Sequence, residues 1–364
     1  MASTLSRVNS LKITFLVDNS IEWMTKFPPG FTSEVGAHLF QQKPPIDPRT
    51  NVPILDLENY CCGAHGFAAL IETQVDGADP HTILFDTGPD SRSLIRNIQA
   101  MQTPINPIER VVISHWHSDH SGGLLSFLDY RASESSPQRL FPVIVDVHPD
   151  RPIARGIAPP PTYRNVIGRI PEDPSFDSIH RAGGVVETHN EGHVVAGGTV
   201  YVSGEIPRIT DFEGGLLGGV RWYENGSAGG EWVNEENIMD ERYATVDVLG
   251  KGLVIFSACS HAGIVNVAKD AIKTFKRPIH MVIGGFHLAG PEFQDRIQPT
   301  VDFLSSKMRP ACTYILPMHC SGFAAKVALR AALGESCVPA GVGVGVHVQG
   351  DGAVDHLVHP PTIV

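Results

Sequence analysis

The stretch ISHWHSDHSGGL, from Ile113 to Leu124, places three histidines and one aspartate within six consecutive positions. It continues the run RVVIS, whose β-branched residues are typical of a buried strand. In an extended segment, residues two apart point to the same side, so His115 and His117 can reach one point while Trp116 turns away from it. The spacing therefore predicts a pair of metal-ligating imidazoles where a strand ends.

Asp119 and His120 follow at the turn into a helix that begins at SGG. Turns at the carboxyl ends of strands are where α/β folds place their sites, and imidazole and carboxylate suit zinc and similar divalent ions. Four candidate ligands in one loop also favour a second ion, about 3.5–4 Å from the first and sharing a bridging hydroxide with it. The competing interpretation is a loop that collected polar residues by chance.

Three later segments share one form, an apolar run, then small residues, then a histidine. They are LVIFSACSHAGIVN with Cys259 and His261, HMVIGGFHL with His287, and YILPMHCSG with His319 and Cys320. Any one of these histidines alone is better explained as a hydrogen-bonded structural residue. Because all three follow a metal motif, we interpret them as ligands or as partners of ligands.

The overall pattern predicts a layered α/β (α+β) fold. Short β-branched runs outnumber helical patterns about two to one, and runs such as YATVDVL and KGLVIFSA are joined by a turn, which favours two mixed β-sheets with helices outside. We predict a single domain over residues 1–364. Long Pro- and Gly-rich loops are predicted near 23–59, 151–177 and 209–240, where they would cover a substrate pocket.

The composition and net charge disfavour some classes of binding partner. Of 364 residues, 42% are hydrophobic and 18% charged, which is typical of a folded protein with a large core. The net charge of −11 disfavours a nucleic-acid partner. No stretch approaches the ~20 apolar residues of a membrane span, and the N-terminal apolar run is shorter than the ~7–15 residues of a signal peptide. We expect a cytoplasmic protein with reduced cysteines that acts on a small molecule, and the sequence leaves its oligomeric state open.

Asp86 in ILFDTG, the motif from His115 to His120 and the histidines at later strand ends resemble the metallo-β-lactamase superfamily. The resemblance implies a four-layer αβ/βα sandwich with one or two metals at the edge of its sheets. More narrowly, LVDN, the His65-Gly66 pair, GEIPR, the pair Asp240-Glu241 and GGFHL are similar to the subgroup that includes the archaeal dihydropterin-ribofuranosylaminobenzene phosphate synthases and many uncharacterised hydrolases.

The resemblance also implies roles for single residues. It makes His115 and His117 ligands of the first metal, and Asp119, His120 and His319 ligands of the second, with Asp86 beneath them orienting the site. The chain departs from the pattern where the superfamily usually has a histidine, since it reads GEIPR at 204–208, and where it usually has a bridging aspartate, since it reads ACSH at 258–261. We infer that His261 replaces the missing imidazole, with Cys259 beside it as a ligand or a buried thiol.

The leading hypothesis is a hydrolase of a small cyclic amide, lactone or ester. A metal, zinc in the first place with manganese or iron as alternatives, lowers the pKa of bound water towards about 7 and so supplies hydroxide at neutral pH. Asp119 is the candidate proton acceptor, and His287 the candidate for stabilising the oxyanion or protonating the leaving group. His65 and Arg208 are candidates for gripping an anionic part of the substrate, although Arg208 fits a structural ion pair equally well.

Three other functions remain open. A transferase joining a pterin pyrophosphate to an aromatic phosphorylated acceptor would need several cations at the mouth of the site, and the predicted loops offer few: Lys26, Lys43, Arg49, Arg208 and Arg221. A redox protein would use iron in the same ligands, but no flavin-binding or rubredoxin-like segment is present. A metal-stabilised protein without catalysis is disfavoured by the open ligand set.

Overall fold

The computed structural model describes residues 4–41, 44–134, 141–226 and 229–364. Its strands are β1 (Arg7–Val8), β2 (Ser10–Val17), β3 (Phe31–Thr32), β4 (Ala68–Gln74), β5 (His81–Phe85), β6 (Ile108–Val112), β7 (Val143–Val147), β8 (Ala154–Ile157), β9 (Gly168–Arg169), β10 (Gly184–Thr188), β11 (His193–Val195), β12 (Val200–Val202), β13 (Gly219–Glu224), β14 (Gly230–Asn234), β15 (Ala244–Val248), β16 (Gly252–Ser257), β17 (Ile279–Gly285), β18 (Met308–Arg309), β19 (Tyr314–Met318), β20 (Gly345–Gln349) and β21 (Thr362–Ile363). The α-helices are α1 (Glu34–Gly36), α2 (Ser93–Met101), α3 (Ser118–Ser121), α4 (Leu124–Glu134), α5 (Phe176–Arg181), α6 (Ile264–Phe275), α7 (Gln294–Asp302) and α8 (Phe323–Leu333).

Two large mixed sheets carry the fold, as the sequence predicts. In the first, the order is β11-β12-β15-β16-β17-β19, with β1 beside β15, and in the second it is β10-β7-β6-β5-β4-β2-β20-β3. Strands β16, β17 and β19 run parallel to one another, as do β5, β6 and β7. The carboxyl ends of each parallel group therefore meet at one edge of their sheet.

Successive side chains of the strands pack into different apolar layers on the two faces of each sheet. On β16, Val254 and Phe256 belong to the apolar cluster between the two sheets, whereas Leu253 and Ile255 pack in the cluster that includes α6, α7 and α8. Successive side chains of a strand point to opposite faces, so a strand buried on both faces needs a continuous apolar run. A third cluster joins the second sheet to α2, α4 and α5. The four-layer αβ/βα sandwich is thus confirmed.

The predicted loops at 151–177 and 209–240 are not structureless, which corrects that expectation. They contain β8, β9, β13 and β14, which pair in the order β14-β13-β8-β9 as a third sheet. Trp222 and Trp232 face each other across β13 and β14 with ring centroids 5.4 Å apart, a cross-strand pair that stabilises the hairpin. The many glycines and prolines around these short strands hid them in the sequence.

The structure bears on some of the remaining sequence predictions and leaves others untested. The loop predicted near 23–59 contains only short elements among its described residues, including β3 and α1, and that near 151–177 also ends in α5. Within the described ranges, no helix combines the length and the apolar character that crossing a bilayer requires. The single domain, the absence of a nucleic-acid partner and the cytoplasmic location stay predictions.

Candidate metal centre

Histidines from separate strands meet at one edge of the sandwich. His115, His117 and His120 follow β6, His261 follows β16, and His319 follows β19. Each parallel strand ends at the same sheet edge, and the two sheets face each other, so these side chains come together although the chain separates them by up to about 200 residues. The structure brings together all the histidines that the sequence predicts as ligands, in two groups.

The first group consists of His115, His117 and His261, all buried. The Nε2 atom of His115 lies 3.0 Å from Nδ1 of His117 and 3.2 Å from Nε2 of His261. Burial, followed by nearby positive charge, lowers the pKa of His117 to about 3, and burial lowers that of His115 and His261 well below the usual value. These imidazoles are therefore neutral at pH 7, the state in which a histidine binds metal.

The second group consists of Asp119, His120, His319 and Cys259. Oδ2 of Asp119 lies 3.3 Å from Nε2 of His319 and 3.6 Å from Nε2 of His120, and the latter nitrogen is 3.2 Å from Sγ of Cys259. Burial alone would lower the pKa of His120, but the carboxylates of Asp119 and Asp86 raise it to about 9. The group therefore attracts positive charge, as a cation site must.

The outer nitrogens of three imidazoles are held by hydrogen-bond acceptors. Nδ1 of His120 lies 2.8 Å from Oδ2 of Asp86, and Nδ1 of His319 lies 3.0 Å from Oδ1 of Asn19. Nδ1 of His115 lies 2.9 Å from the Ser114 hydroxyl. An acceptor at Nδ1 keeps a hydrogen there, so that Nε2 is the nitrogen that faces the group and is available to a metal, as in protein metal sites.

Asp86 lies beneath the site, where the sequence predicts it. It is fully buried, and its carboxylate accepts hydrogen bonds from the backbone N–H and the hydroxyl of Ser114 as well as from His120. Its backbone has φ +62°, and His287 and His319 also have positive φ. Such conformations cost of order 1–3 kcal/mol each outside glycine and cluster at functional sites.

The donor set fits divalent ions. Ring nitrogens of three neutral imidazoles lie 3.0–3.2 Å apart, and each neutral imidazole has one nitrogen with a lone pair that can bind a cation. Nδ1 of His261 and Nδ1 of His287 are buried without a hydrogen-bond partner, which is costly in a folded protein. Imidazole, carboxylate and thiol together suit zinc and related transition metals.

Two cysteines lie beside both groups. Cys259 reaches the second group, and it also forms a set with His261 and His287 whose candidate ligand atoms lie within 4.8 Å of one another. Its sulfur is 3.5 Å from that of Cys320, which the sequence places beside His319 at the end of β19. Burial alone would lower the pKa of His287, but its hydrogen bond to Cys320 raises it. The thiol therefore favours the protonated form of His287.

A cavity of about 340 Å³ opens above both groups. His117, Asp119, His261 and His287 line its floor, and His65 lies at its mouth with a largely exposed side chain. The walls are mostly apolar and come largely from the third sheet and the chain beside it: Ile157, Ile170, Leu216, Leu217, Val220 and Ile238, with Phe293 opposite. The third sheet thus covers the pocket, as the sequence predicts for the segments near 151–177 and 209–240.

Arg208 lies elsewhere than its predicted substrate role requires. It is not part of the cavity lining within the described residues, and its guanidinium donates to the backbone carbonyl of His261, 3.0 Å away. This contact is structural, although its partner is a backbone carbonyl and not the carboxylate of the ion pair that the sequence left open. Arg155 lines the cavity instead. Its guanidinium group, however, already donates hydrogen bonds of 2.6–2.9 Å to the carboxylates of Glu235 and Asp240.

Some residues that support the site were assigned no role from sequence. Asp18 accepts the backbone N–H of His319 at 2.7 Å, and Asn19 holds the ring of the same residue. Both belong to LVDN, which the resemblance singled out without a function, so the motif itself was the available signal. Arg155, inside a predicted loop, had no such signal.

Comparison with known proteins finds similarity to one superfamily around this site. Residues 66–209, which include Asp86 and the His115–His120 motif, match the model of the metallo-beta-lactamase superfamily. The chain is thus similar to the metallo-β-lactamase superfamily over the segment that carries most of the candidate ligands. The chain is 29% identical over 266 residues to the 7,8-dihydropterin-6-methyl-4-(beta-D-ribofuranosyl)-aminobenzene-5′-phosphate synthase of Methanocaldococcus jannaschii, covering 72% of this chain and 82% of the synthase.

Two further similarities agree with this placement. An uncharacterised protein of the same organism is 28% identical over 261 residues, covering 72% of this chain and 85% of that protein. The solved structure of Tm1679, described as a metal-dependent hydrolase of the beta-lactamase superfamily, has a TM-score of 0.61 and 20% identity, covering 93% of this chain and 99% of that one. At this identity the superposition establishes the shared metallo-β-lactamase fold alone.

Proposed function

We propose that the protein is a metal-dependent hydrolase of a small, mostly apolar molecule that carries a lactone, cyclic amide or ester group. The observation that carries the proposal is the position of both ligand groups at the floor of one apolar cavity. Such a cavity holds one small molecule with its reactive group beside the ligands. The superfamily supports a metal-dependent enzyme, and the substrate class is our inference from the cavity.

His115, His117 and His261 would hold a first divalent ion, and Asp119, His120 and His319 a second. Zinc suits these ligands best, with manganese or iron as alternatives. When bound, such an ion polarises a carbonyl oxygen and lowers the pKa of water. Sγ of Cys259 lies where it can approach the second ion.

Proton transfer is assigned to two side chains on the cavity floor. Burial alone would raise the pKa of Asp119, but the imidazoles of His120 and His319 hold it well below its usual value, so the carboxylate is ionised and can accept a proton from attacking water. His287 faces the same space, and its hydrogen bond to Cys320 raises its pKa, which favours it as the group that donates a proton to the leaving group. His65, at the mouth, is placed to contact a polar end of the substrate.

The charges of the cavity favour an uncharged substrate. Arg155 is the one Lys or Arg side chain among the lining residues that the structure describes, and Glu235 and Asp240 already balance its charge. Glu292 adds a carboxylate to the wall. A strongly anionic substrate would therefore have to bind mainly through the ions.

A second candidate is the transferase, because the chain is 29% identical to a dihydropterin aminobenzene phosphate synthase. In that reaction a carbon of the aromatic acceptor, which carries a phosphate, would form a bond to the pterin-bearing carbon of a pterin pyrophosphate, and pyrophosphate and a proton would be released. The ions would have to offset the charge of both substrates, because the described lining offers no unpaired cation. This is the physical reason why we place the transferase second.

One experiment separates the two candidates. The purified protein, loaded with zinc or with manganese, is incubated with lactones, lactams and aryl esters, and separately with a pterin pyrophosphate and an aminobenzene acceptor. We expect ester or lactone hydrolysis that a chelator abolishes and that added metal restores. Pyrophosphate release that depends on the acceptor, together with no turnover of the hydrolase panel, would replace our proposal with the transferase.

A further inference from the structure

Two adjacent acidic residues, Asp240 and Glu241, lie buried between the two halves of the first ligand group. They precede β15, the antiparallel neighbour of β16, so they reach the same sheet edge as the ligands. Neither belongs to a candidate ligand group. Each carboxylate instead bonds the backbone of a different ligand segment.

Asp240 bonds the segment that carries His115 and His117. Its Oδ2 atom accepts the backbone N–H of Trp116 at 2.6 Å, while Arg155 donates to the backbone carbonyl of Trp116 at 2.5 Å. Arg155 also donates to Oδ1 of Asp240 at 2.6 Å. The residue between the two ligands is therefore held at both of its backbone polar groups, which fixes the direction of the imidazoles on either side.

Glu241 bonds the segment that carries His261. Its two carboxylate oxygens accept the backbone N–H groups of His261 and Ala262, each at 2.7 Å. Hydrogen bonds to a carboxylate are about twice as strong as neutral ones, and two of them fix a loop in both position and orientation. His261 is thus held from its backbone, independently of its ring.

We propose that Asp240 and Glu241 are a pair of positioning residues that set the spacing of His115, His117 and His261 for the first metal ion. Consecutive Cα atoms are 3.80 Å apart, so the dipeptide ties a loop of one sheet to a loop of the other at a fixed distance. This inference rests on the metal dependence of the proposed function and on no particular substrate.

The pair acts on metal affinity through the geometry of the ligands. Residues that orient ligands typically change metal affinity 10- to 100-fold when they are replaced. An amide in place of either carboxylate turns an NH2 group towards an N–H donor, so one of the backbone or guanidinium bonds is lost in Asp240→Asn and in Glu241→Gln. We expect each variant to bind the first zinc ion 10- to 100-fold more weakly.

The test measures zinc affinity by competition with a chelating dye, and ligand geometry by the visible absorption of the cobalt(II)-loaded protein. Glu213→Gln is the matched control, because Glu213 is also buried and accepts two consecutive backbone N–H groups, those of Val265 and Asn266, at 2.9 Å each. The control should lose stability while keeping wild-type zinc affinity and cobalt spectrum. Glu241→Asp, which keeps the charge but shortens the arm, should also bind zinc more weakly.

The outcomes are distinguishable. Weaker zinc binding and an altered cobalt spectrum in the Asp240 and Glu241 variants, with the control unchanged, support the inference. Wild-type affinity and spectrum in folded variants, or an equal loss in Glu213→Gln, overturn it. A wild-type protein that binds no zinc or cobalt would instead refute the metal dependence of the proposed function. If Glu241→Gln fails to fold, the same two readouts on Glu241→Asp decide.

Discussion

Replacing Asp86 by asparagine tests how the second ligand group is built. One carboxylate oxygen accepts the backbone N–H of Ser114 at 2.7 Å, and the other accepts the Ser114 hydroxyl and Nδ1 of His120 at 2.8 Å each. An amide nitrogen in the first position faces a fixed backbone N–H. In the second position it faces His120, whose ring hydrogen must then move to Nε2, the nitrogen that the metal needs.

The magnitude follows from one lost hydrogen bond to a charged group, about 1.5–3 kcal/mol. At 1.4 kcal/mol for each factor of ten, Asp86→Asn should bind the second zinc ion about 10- to 100-fold more weakly. The first ion should lose less affinity than the second, because the outer nitrogen of His115 bonds the Ser114 hydroxyl and reaches Asp86 only through it.

Two measurements check this prediction. Equilibrium dialysis in zinc buffers gives the two affinities, and NMR of the imidazole nitrogens gives the position of the hydrogen on His120. Asp247→Asn is the control, since Asp247 is also buried and ion-paired, 3.0 Å from Arg277, but lies away from the ligands. Two zinc ions bound by Asp86→Asn with wild-type affinity, with the hydrogen still on Nδ1, would refute the reasoning.

The other predictions concern single side chains. His117→Ala should lose most bound metal and activity while staying folded, whereas His38→Ala, which removes an equally buried imidazole outside the ligand groups, should keep its metal; metal analysis and circular dichroism compare the two. His287→Gln should lower kcat about 10²- to 10⁴-fold with unchanged metal content, and an unaltered kcat would exclude it as the proton donor. Burial raises the pKa of Asp173 from 3.8 to about 6, so the native state favours the protonated form; the free energy of unfolding should fall by about 3 kcal/mol as pH rises from about 4 to 7, and urea titrations of Asp173→Asn should lack that fall.

The candidate ligand residues were predictable because histidine, aspartate and cysteine are the residue types that bind metals. A buried strand followed by His115, His117, Asp119 and His120 leaves few other interpretations, and the strand before each later histidine is apolar enough to be recognised. The same apolar runs predicted the two large sheets. The sequence therefore predicted both the two large sheets and the side chains that meet at their edge.

The supporting residues could not be predicted in the same way. Glu241 acts by accepting backbone N–H groups twenty residues away, and any residue type could provide those donors. The bond between Asp240 and Trp116 spans 124 residues and depends on how the sheets pack. Likewise, the third sheet forms from strands too short and too rich in neighbouring glycine to show a periodic pattern. The sequence left two roles open for Arg208, because it does not reveal which side of a loop a charge faces.

The most direct test of the central claim is anomalous diffraction at the zinc absorption edge from crystals of catalytically active, zinc-loaded protein. We predict one peak among His115, His117 and His261, and a second among Asp119, His120 and His319. Active crystals with no anomalous peak at either group, or with zinc bound only elsewhere on the molecule, would contradict the claim that these strand ends form a metal centre.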